Sequence, residues 1–348
     1  MSTIEIEQDQ EISPMSILQI GMGFWPAKTL LTAVKLGLFT ELADGPLFAS
    51  EIQQKLGLHS RSALDFLDSL VALGLIQRQG VGFTATYSNT AETAMFLNRS
   101  APAYIGGLLE MANDRLYPFW NNLEEALRTG EPQNEVKLTG KPLFEALYAD
   151  PANLEIFMEG MTGAQVGNFM MLAEEFDFGP YNTLVDIGGA NGTLSTCVVS
   201  GNPHLQCLTV DLPPVQPIAE KNIRKQGLED KIKTGVLDFM TQQFPKGDVI
   251  TMGNILHDWD LPQKKMLIAK AYEALPVNGA LIVIENIIDD ERKENVFGLL
   301  MSLNMAVETE GGFDYSHADF HKWATEAGFR NTTKLPLTGP ASAVIAYK

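Results

Sequence analysis

Residues 184–192 read LVDIGGANG. An apolar run ends in an acid, Asp186, and then in a turn through Gly188, Gly189 and Gly192. A turn of this kind at the C-terminal end of a parallel strand lets the backbone approach a ligand closely. Further on, LQCLTV ends in Asp211, within VDLPPV. A carboxylate there suits a ribose diol, because it can accept hydrogen bonds from both hydroxyls. Two more pieces follow in order, LDF at 237–239 and NILHDWD at 254–260. By itself the glycine turn also fits a tight strand-to-helix connection with no ligand.

Working outward, strands and helices alternate from Tyr181 onward. TLVDIGG, QCLTVDL, KTGVLDF, DVITMGNIL and GALIVIEN are apolar strands separated by helical stretches, and SAVIAYK closes the chain. This alternation predicts an α/β fold whose doubly wound, mostly parallel sheet is covered on both faces. The last stretch, TKLPLTGPASAVIAYK, reads as two strands joined by a Gly-Pro turn.

The N-terminal part differs. Residues 17–42 are apolar and helical, interrupted at Gly21 and Gly23, with a helix expected over about 27–42. Ser50 and Ser60 read as helix caps, SRSALDFLDSLVALG as an amphipathic helix, and LIQRQGVGFTATY as a hairpin. Helix, helix, hairpin predicts a winged-helix-like module. DNA binding is disfavoured, because the second helix carries Asp65 and Asp68 against Arg61 alone. Residues 91–180 read as several helices, with GEPQNEVKLTG a polar loop bounded by glycines. The expected division is a disordered acidic tail 1–14, the module 15–100, a helical segment 101–178 and the α/β domain 179–348.

By length the chain is two domains or one large one, and its composition is that of an ordinary globular protein. The chain has 348 residues, of which 45% are hydrophobic and 20% charged. A net charge of −18 argues against nucleic-acid binding and against an anionic membrane surface. Cys197 and Cys207 show no metal spacing, and no metal is expected. As free thiols they fit a reducing cytoplasm. The N-terminus lacks the features of a signal peptide.

Taken together, DIGGANG, DLPPV, LDF, HDWD, EALPVNGALIVIE and EAGF resemble the plant-type O-methyltransferase family, with its bacterial natural-product branch. The resemblance covers the chain after residue 15. It implies a class I methyltransferase fold, S-adenosylmethionine as cofactor with S-adenosylhomocysteine as product, and a small aromatic or polyketide-like acceptor. It also implies a homodimer formed through the N-terminal module. Some relatives keep the fold and cofactor but use the sulfonium without transferring its methyl, in hydroxylation, decarboxylation or pericyclic reactions. NAD is the competing cofactor, but G-G-A-N-G is not the dinucleotide fingerprint G-x-G-x-x-G.

Assigned by position, Asp186, Gly188, Gly189 and Gly192 lie along the methionine part of the cofactor, and Asp211 takes the ribose. Leu212 and Phe239 pack on the adenine, and Asp238 accepts its amino group unless it is a helix cap. Plant members place a lysine where Gly253 stands here, beside Asn254, so the adenosine end is left open.

His257 ends the strand DVITMGNIL on the cofactor side. An imidazole with a pKa of about 6.5 suits removal of a phenolic proton. Glu285 ends the neighbouring strand and is expected to hold the ring. The family's G-G-x-E-R-T is GGFDYS here, so Asp314 takes the second acid's place and Tyr315 that of the arginine, with Glu308 as the alternative acid. Asp258 and Trp259 are expected to shape the turn. The acceptor pocket is expected among Trp25, Met111, Trp120, Met161, Phe169 and Met170 on one side. Met301, Asn304, Met305 and Glu308 form the other.

Overall fold

The computed structural model describes residues 12–141 and 143–348. Most of the expected disordered tail, residues 1–11, lies outside the described residues. The chain divides into two compact units, one ending at Asn113 and the other beginning at Asp114.

The first unit opens with helices α1 (Met15–Gly21), α2 (Phe24–Lys35) and α3 (Leu38–Glu41). The single helix expected through residue 42 breaks at Gly37, whose φ of 77° is left-handed and open to glycine at no steric cost. Strand β1 (Leu47–Phe48) leads into α4 (Ala49–Lys55) and α5 (Ser60–Ala72), and β2 (Ile76–Gln79) and β3 (Thr86–Asn89) follow. These strands form an antiparallel sheet in the order β1-β3-β2. The expected serine caps are corrected by one or two residues. Phe48 caps α4, with Glu51 reaching back to its amide, and the His59 ring accepts the Arg61 amide at the start of α5. Leu38, Phe39, Leu67, Leu70, Ile76 and Tyr87 form this unit's core. Helix α1 buries none of its side chains. Helices α6 (Ala91–Phe96) and α7 (Gly106–Met111) complete the unit, and the chain continues through a π-helical turn, Ala112–Leu116.

The second unit begins with α8 (Tyr117–Trp120), α9 (Leu123–Thr129), α10 (Glu135–Thr139), α11 (Leu143–Tyr148) and the long α12 (Pro151–Glu175). The expected polar loop 130–140 therefore contains a helix, capped by the Asn134 side chain. Asn134 and Gln133 are buried, because the Glu308 and Val307 carbonyls accept their N–H groups.

Then come β4 (Thr183–Ile187), α13 (Thr193–Gly201), β5 (Gln206–Asp211), α14 (Gln216–Lys225), β6 (Ile232–Val236), β7 (Val249–Gly253), α15 (Leu261–Ala274), β8 (Ala280–Glu285), α16 (Val296–Glu308), α17 (His317–Ala327), β9 (Asn331–Pro336) and β10 (Ser342–Tyr347). Among the described residues they build one sheet of order β6-β5-β4-β7-β8-β10-β9. The first five strands are parallel, and β10 runs antiparallel to both neighbours. Alternate residues serve opposite faces. In β8, Leu281 and Val283 join the core under α15 and α17, whereas Ile282 and Ile284 join the core under α12, α13 and α14. Every residue of β8 is buried, which is why it reads as an unbroken apolar run. Strand order reverses between β4 and β7. The crevice outside their C-terminal ends is where such sheets bind ligands.

Candidate active site

The turn after β4 is folded against itself. Gly188 and Gly192 have φ of 65° and 77°, and Ala190 has 49°. A Cβ at Gly188 would collide with Ile255 Cδ1, and one at Gly189 would collide with Thr209 Oγ1. The glycines are therefore demanded by the protein's own packing as well as by close approach of any ligand. Asp186 is buried and accepts the Thr251 hydroxyl at 2.8 Å. Burial pushes its carboxyl up to about 7, against the Thr251 bond. Asp211, one strand over, accepts the Ala190 amide at 2.9 Å and the Leu212 amide at 2.7 Å. Burial holds it at about 6 despite these bonds. Asp211 thus fixes the glycine turn and stands at the strand end with carboxylate lone pairs to spare.

Asp238 closes its own turn. It accepts the Thr241 hydroxyl at 2.7 Å and the Met240 amide at 3.0 Å, and the Thr241 bond leads in holding its pKa low. The local bonding is that of a cap, the alternative that the sequence left open. Phe239 meets Trp259 edge-on at 5.9 Å. Trp259 in turn faces Phe144 at 6.2 Å, and Phe144 faces Tyr148 at 5.7 Å. This aromatic row from α11 was missed in the sequence, although LFEALY carries rings at i and i+4. A Cβ at Gly253 would lie 3.4 Å from the Phe169 ring, and Asn254 is left-handed at φ 53°.

His257 sits in a tight turn, Leu256–Asp258, and is 5% exposed. Glu285 comes level with this turn because β8 runs beside β7, with Ile284 opposite Gly253. The expectation that Glu285 holds the ring is corrected: its Oε1 accepts the His257 backbone N–H at 2.9 Å. The ring lies between two other acids. Asp314 Oδ1 is 3.4 Å from Nδ1, and Asp258 Oδ1 is 3.5 Å from Nε2. Asp258 therefore does more than shape the turn. Burial pushes the imidazole pKa down, but Asp258, Asp314 and Glu285 outweigh it and raise it well above the free value. The loop carrying Asp314 packs backbone to backbone on the histidine turn. A Cβ at Gly312 would lie 2.6 Å from the His257 carbonyl oxygen, and one at Gly311 would lie 2.8 Å from Asp260 Cβ. Among the described residues, buried polar atoms without a hydrogen bond gather here: Asn254 Oδ1, His257 Nδ1, Glu285 Oε2 and both Asp314 carboxylate oxygens. Such a concentration of incompletely paired groups marks a functional site.

Glu308 is not beside the histidine ring. Arg115 grips it at 2.8 and 2.7 Å and binds Glu135 at 2.8 Å with its remaining N–H groups. One turn earlier on α16, Asn304 accepts the Trp120 indole N–H at 2.6 Å. Trp120, Asn304 and Glu308 are thereby brought together, with Met305 buried beside them. Met161 and Met170 cannot face one pocket. Nine residues apart on α12, they lie on opposite sides, and Met170 is 54% exposed. Met301 is half-buried on α16. Trp25 and Met111 belong to the first unit, where Trp25 is 60% exposed and Met111 is buried. No described helix is long and apolar enough to cross a membrane.

The chain is similar to known proteins over nearly its whole length. The O-methyltransferase domain family matches residues 120–330, and the O-methyltransferase dimerisation domain family matches residues 18–99. The 8-O-methyl transferase TcmO of tetracenomycin polyketide synthesis, from Streptomyces glaucescens, is 37% identical over 96% of this chain and 97% of its own. The N,N-dimethyltransferase OxyT of Streptomyces rimosus is 34% identical over 90% of each chain. Among solved structures, human N-acetylserotonin methyltransferase in complex with S-adenosylmethionine superposes with a TM-score of 0.90 and 25% identity, covering 99% of both chains. The chain belongs to the O-methyltransferase family.

Proposed function

We propose that the protein transfers a methyl group from S-adenosylmethionine to a hydroxyl of an aromatic or polyketide-like molecule, with His257 as general base. The observation that carries this reading is the placement of His257. It stands buried at the switch point of the sheet with an acid against each ring nitrogen, on the same edge as the glycine turn and Asp211.

The residues fit the cofactor. The cradle at Gly188 and Gly189 admits no side chain. Asp211 keeps acceptor capacity for two ribose hydroxyls, and the unpaired Asn254 Oδ1 lies on the same edge. Phe239 offers an apolar face for the base, and Asp238 keeps acceptor capacity at its edge. When bound, the sulfonium supplies an already activated methyl group. The chain has to align the acceptor and take its proton. His257 Nε2 or Nδ1 accepts the phenolic proton, and Asp258 and Asp314 stabilise the resulting imidazolium. Glu285 holds the histidine turn through the backbone. Trp120, Asn304 and Met305 form one wall of the acceptor site, Met161 and Phe169 another. The dimerisation match over residues 18–99 supports a homodimer built on the exposed apolar residues of α1 and α2.

The test is transfer of labelled methyl from S-adenosylmethionine to a panel of hydroxylated naphthoates and anthraquinones, with aromatic amines alongside. Wild type is expected to label hydroxyls. His257→Ala is expected to lose about 10²–10⁴-fold in turnover while still binding cofactor. Equal rates for the two proteins would overturn the base assignment. Labelling of amines alone would overturn the hydroxyl assignment.

A further inference from the structure

One buried cation near the histidine takes no direct part in methyl transfer. Lys264, in the first turns of α15, is fully buried at 0% exposure. Its ammonium donates to the Trp259 carbonyl and stands 3.8 Å over the face of Phe313, with the Tyr315 ring at 5.9 Å. Trp259 follows the histidine turn, and Phe313 and Tyr315 flank Asp314. One side chain therefore ties together the two segments that bring His257 and Asp314 face to face. An isoleucine or methionine would fill this space without the cost of burying an ammonium, so its charge has a use.

We propose that Lys264 is a positioning residue for methyl transfer. It fastens the His257 turn to the Asp314 loop, so that Asp314 stays against the ring. This proposal rests on the reading of His257 as general base.

The acids around the ammonium hold it in place. Glu285 and Asp314 are buried beside one imidazole with Asp258 partly buried against its other side, and Asp260 caps the helix that carries Lys264. Burial lowers the Lys264 pKa to about 8, while Glu285, Asp258, Asp314 and Asp260 pull it back up. The same charge works in return on the acids: burial raises the pKa of Asp258, and the ammonium works to lower it. The grip on Trp259 and Phe313 also keeps Asp314 at 3.4 Å from Nδ1, where it stabilises the imidazolium formed on proton transfer.

The experiment is titration of the histidine rings by NMR in the full-length protein saturated with S-adenosylhomocysteine. The His257→Ala variant identifies the His257 resonance. Lys264→Met is expected to move the His257 titration down by about one pH unit or more, the size of effect that one nearby charge exerts, because Asp314 is no longer held against Nδ1. Lys264→Arg, which keeps the charge, is expected to leave the titration near that of wild type. Lys264→Gln is the second neutral variant should methionine not fold, and the same downward move is expected. In the transfer assay, the acidic limb of the pH–rate profile should follow the NMR titration, with KM for the cofactor little changed. A folded neutral variant whose His257 titrates at the wild-type pH would overturn the role of Lys264. That result is distinct from failure of the base assignment, which His257→Ala reports through its own turnover.

Discussion

Glu285 holds His257 by its peptide and not by its ring: the carboxylate accepts the His257 backbone N–H at 2.9 Å, with both groups buried. Removing the acceptor leaves a buried N–H unpaired, which costs about 1–3 kcal/mol. Glu285→Gln keeps an oxygen in place and removes only the charge. Thermal melts should therefore show Glu285→Ala clearly less stable than Glu285→Gln, with the larger loss of turnover also in the alanine variant. Equal melting temperatures for the two would mean that the peptide bond is not what Glu285 contributes.

The ring belongs to Asp314 and Asp258, and this sets the sign of a pH effect. Burial lowers the His257 pKa, and the two acids raise it by more. The basic, neutral form is therefore favoured only as pH rises past a value above the free imidazole's of about 6.5. Asp314→Asn removes one of the raising charges. Its kcat/KM profile should have an acidic limb shifted down by about 1–3 pH units, with a lower plateau because the imidazolium loses its partner. A limb that stayed in place would place the controlling ionisation elsewhere.

Much of this was legible in the sequence. The alternation of strands and helices in the sheet domain follows from apolar runs separated by helical stretches, and β8 was visible because a strand buried on both faces has no polar alternation. The strand-end positions of Asp211 and His257 were legible because a strand's C-terminal end is a fixed place in such sheets. What each acid touches was not legible. Glu285 and Asp314 were expected near His257, but whether a carboxylate meets a ring or a peptide depends on a rotamer and on register. Arg115 was missed because its partners, Glu135 and Glu308, are separated from it by loops that no periodicity describes. Lys264 was missed because a lysine in a helix reads as a solvated charge.

Asp211 carries two tasks, and they can be separated. It accepts two backbone amides, those of Ala190 in the glycine turn and of its neighbour Leu212, and it is proposed to accept the ribose hydroxyls. Asp211→Ala should weaken S-adenosylmethionine binding by about 1.5–3 kcal/mol, the range for hydrogen bonds to a charged group. Asp211→Asn retains one acceptor oxygen and should lose less. Calorimetry showing unchanged affinity in the alanine variant would remove Asp211 from the cofactor site.

The first unit presents Ile17, Ile20, Phe24 and Trp25 to its surface, and α1 buries none of its side chains there. An exposed apolar stripe of this kind meets a partner. Light scattering at micromolar concentration should give the mass of a dimer. Ile20→Glu combined with Trp25→Glu should give the monomer, because two desolvated charges would oppose association. A wild-type monomer would refute the homodimer, and a dimeric double variant would move the interface elsewhere.

Arg115, Glu308 and Glu135 form a part-buried ionic group that joins the start of the second unit to the end of α16. Burial disfavours the Arg115 charge, but Glu308 and Glu135 more than offset it and hold its pKa above the ordinary value. Such a group is costly to break from one side, because the partner is left buried and uncompensated, typically by about 3–5 kcal/mol. Arg115→Ala should therefore lower the melting temperature sharply, and Glu308→Gln should do so less, since the amide oxygen still accepts from the guanidinium. The double variant Arg115→Ala with Glu308→Ala should be more stable than the sum of its single losses. A functional consequence follows from the next rung of the same ladder, Trp120 on Asn304 at 2.6 Å. Freed from α16, this wall of the acceptor site would order less well, so KM for the hydroxylated aromatic should rise more than cofactor affinity falls. Additive losses in the double variant would show that the two side chains do not act as a pair. An unchanged KM for the acceptor would show that their pairing does not shape its site.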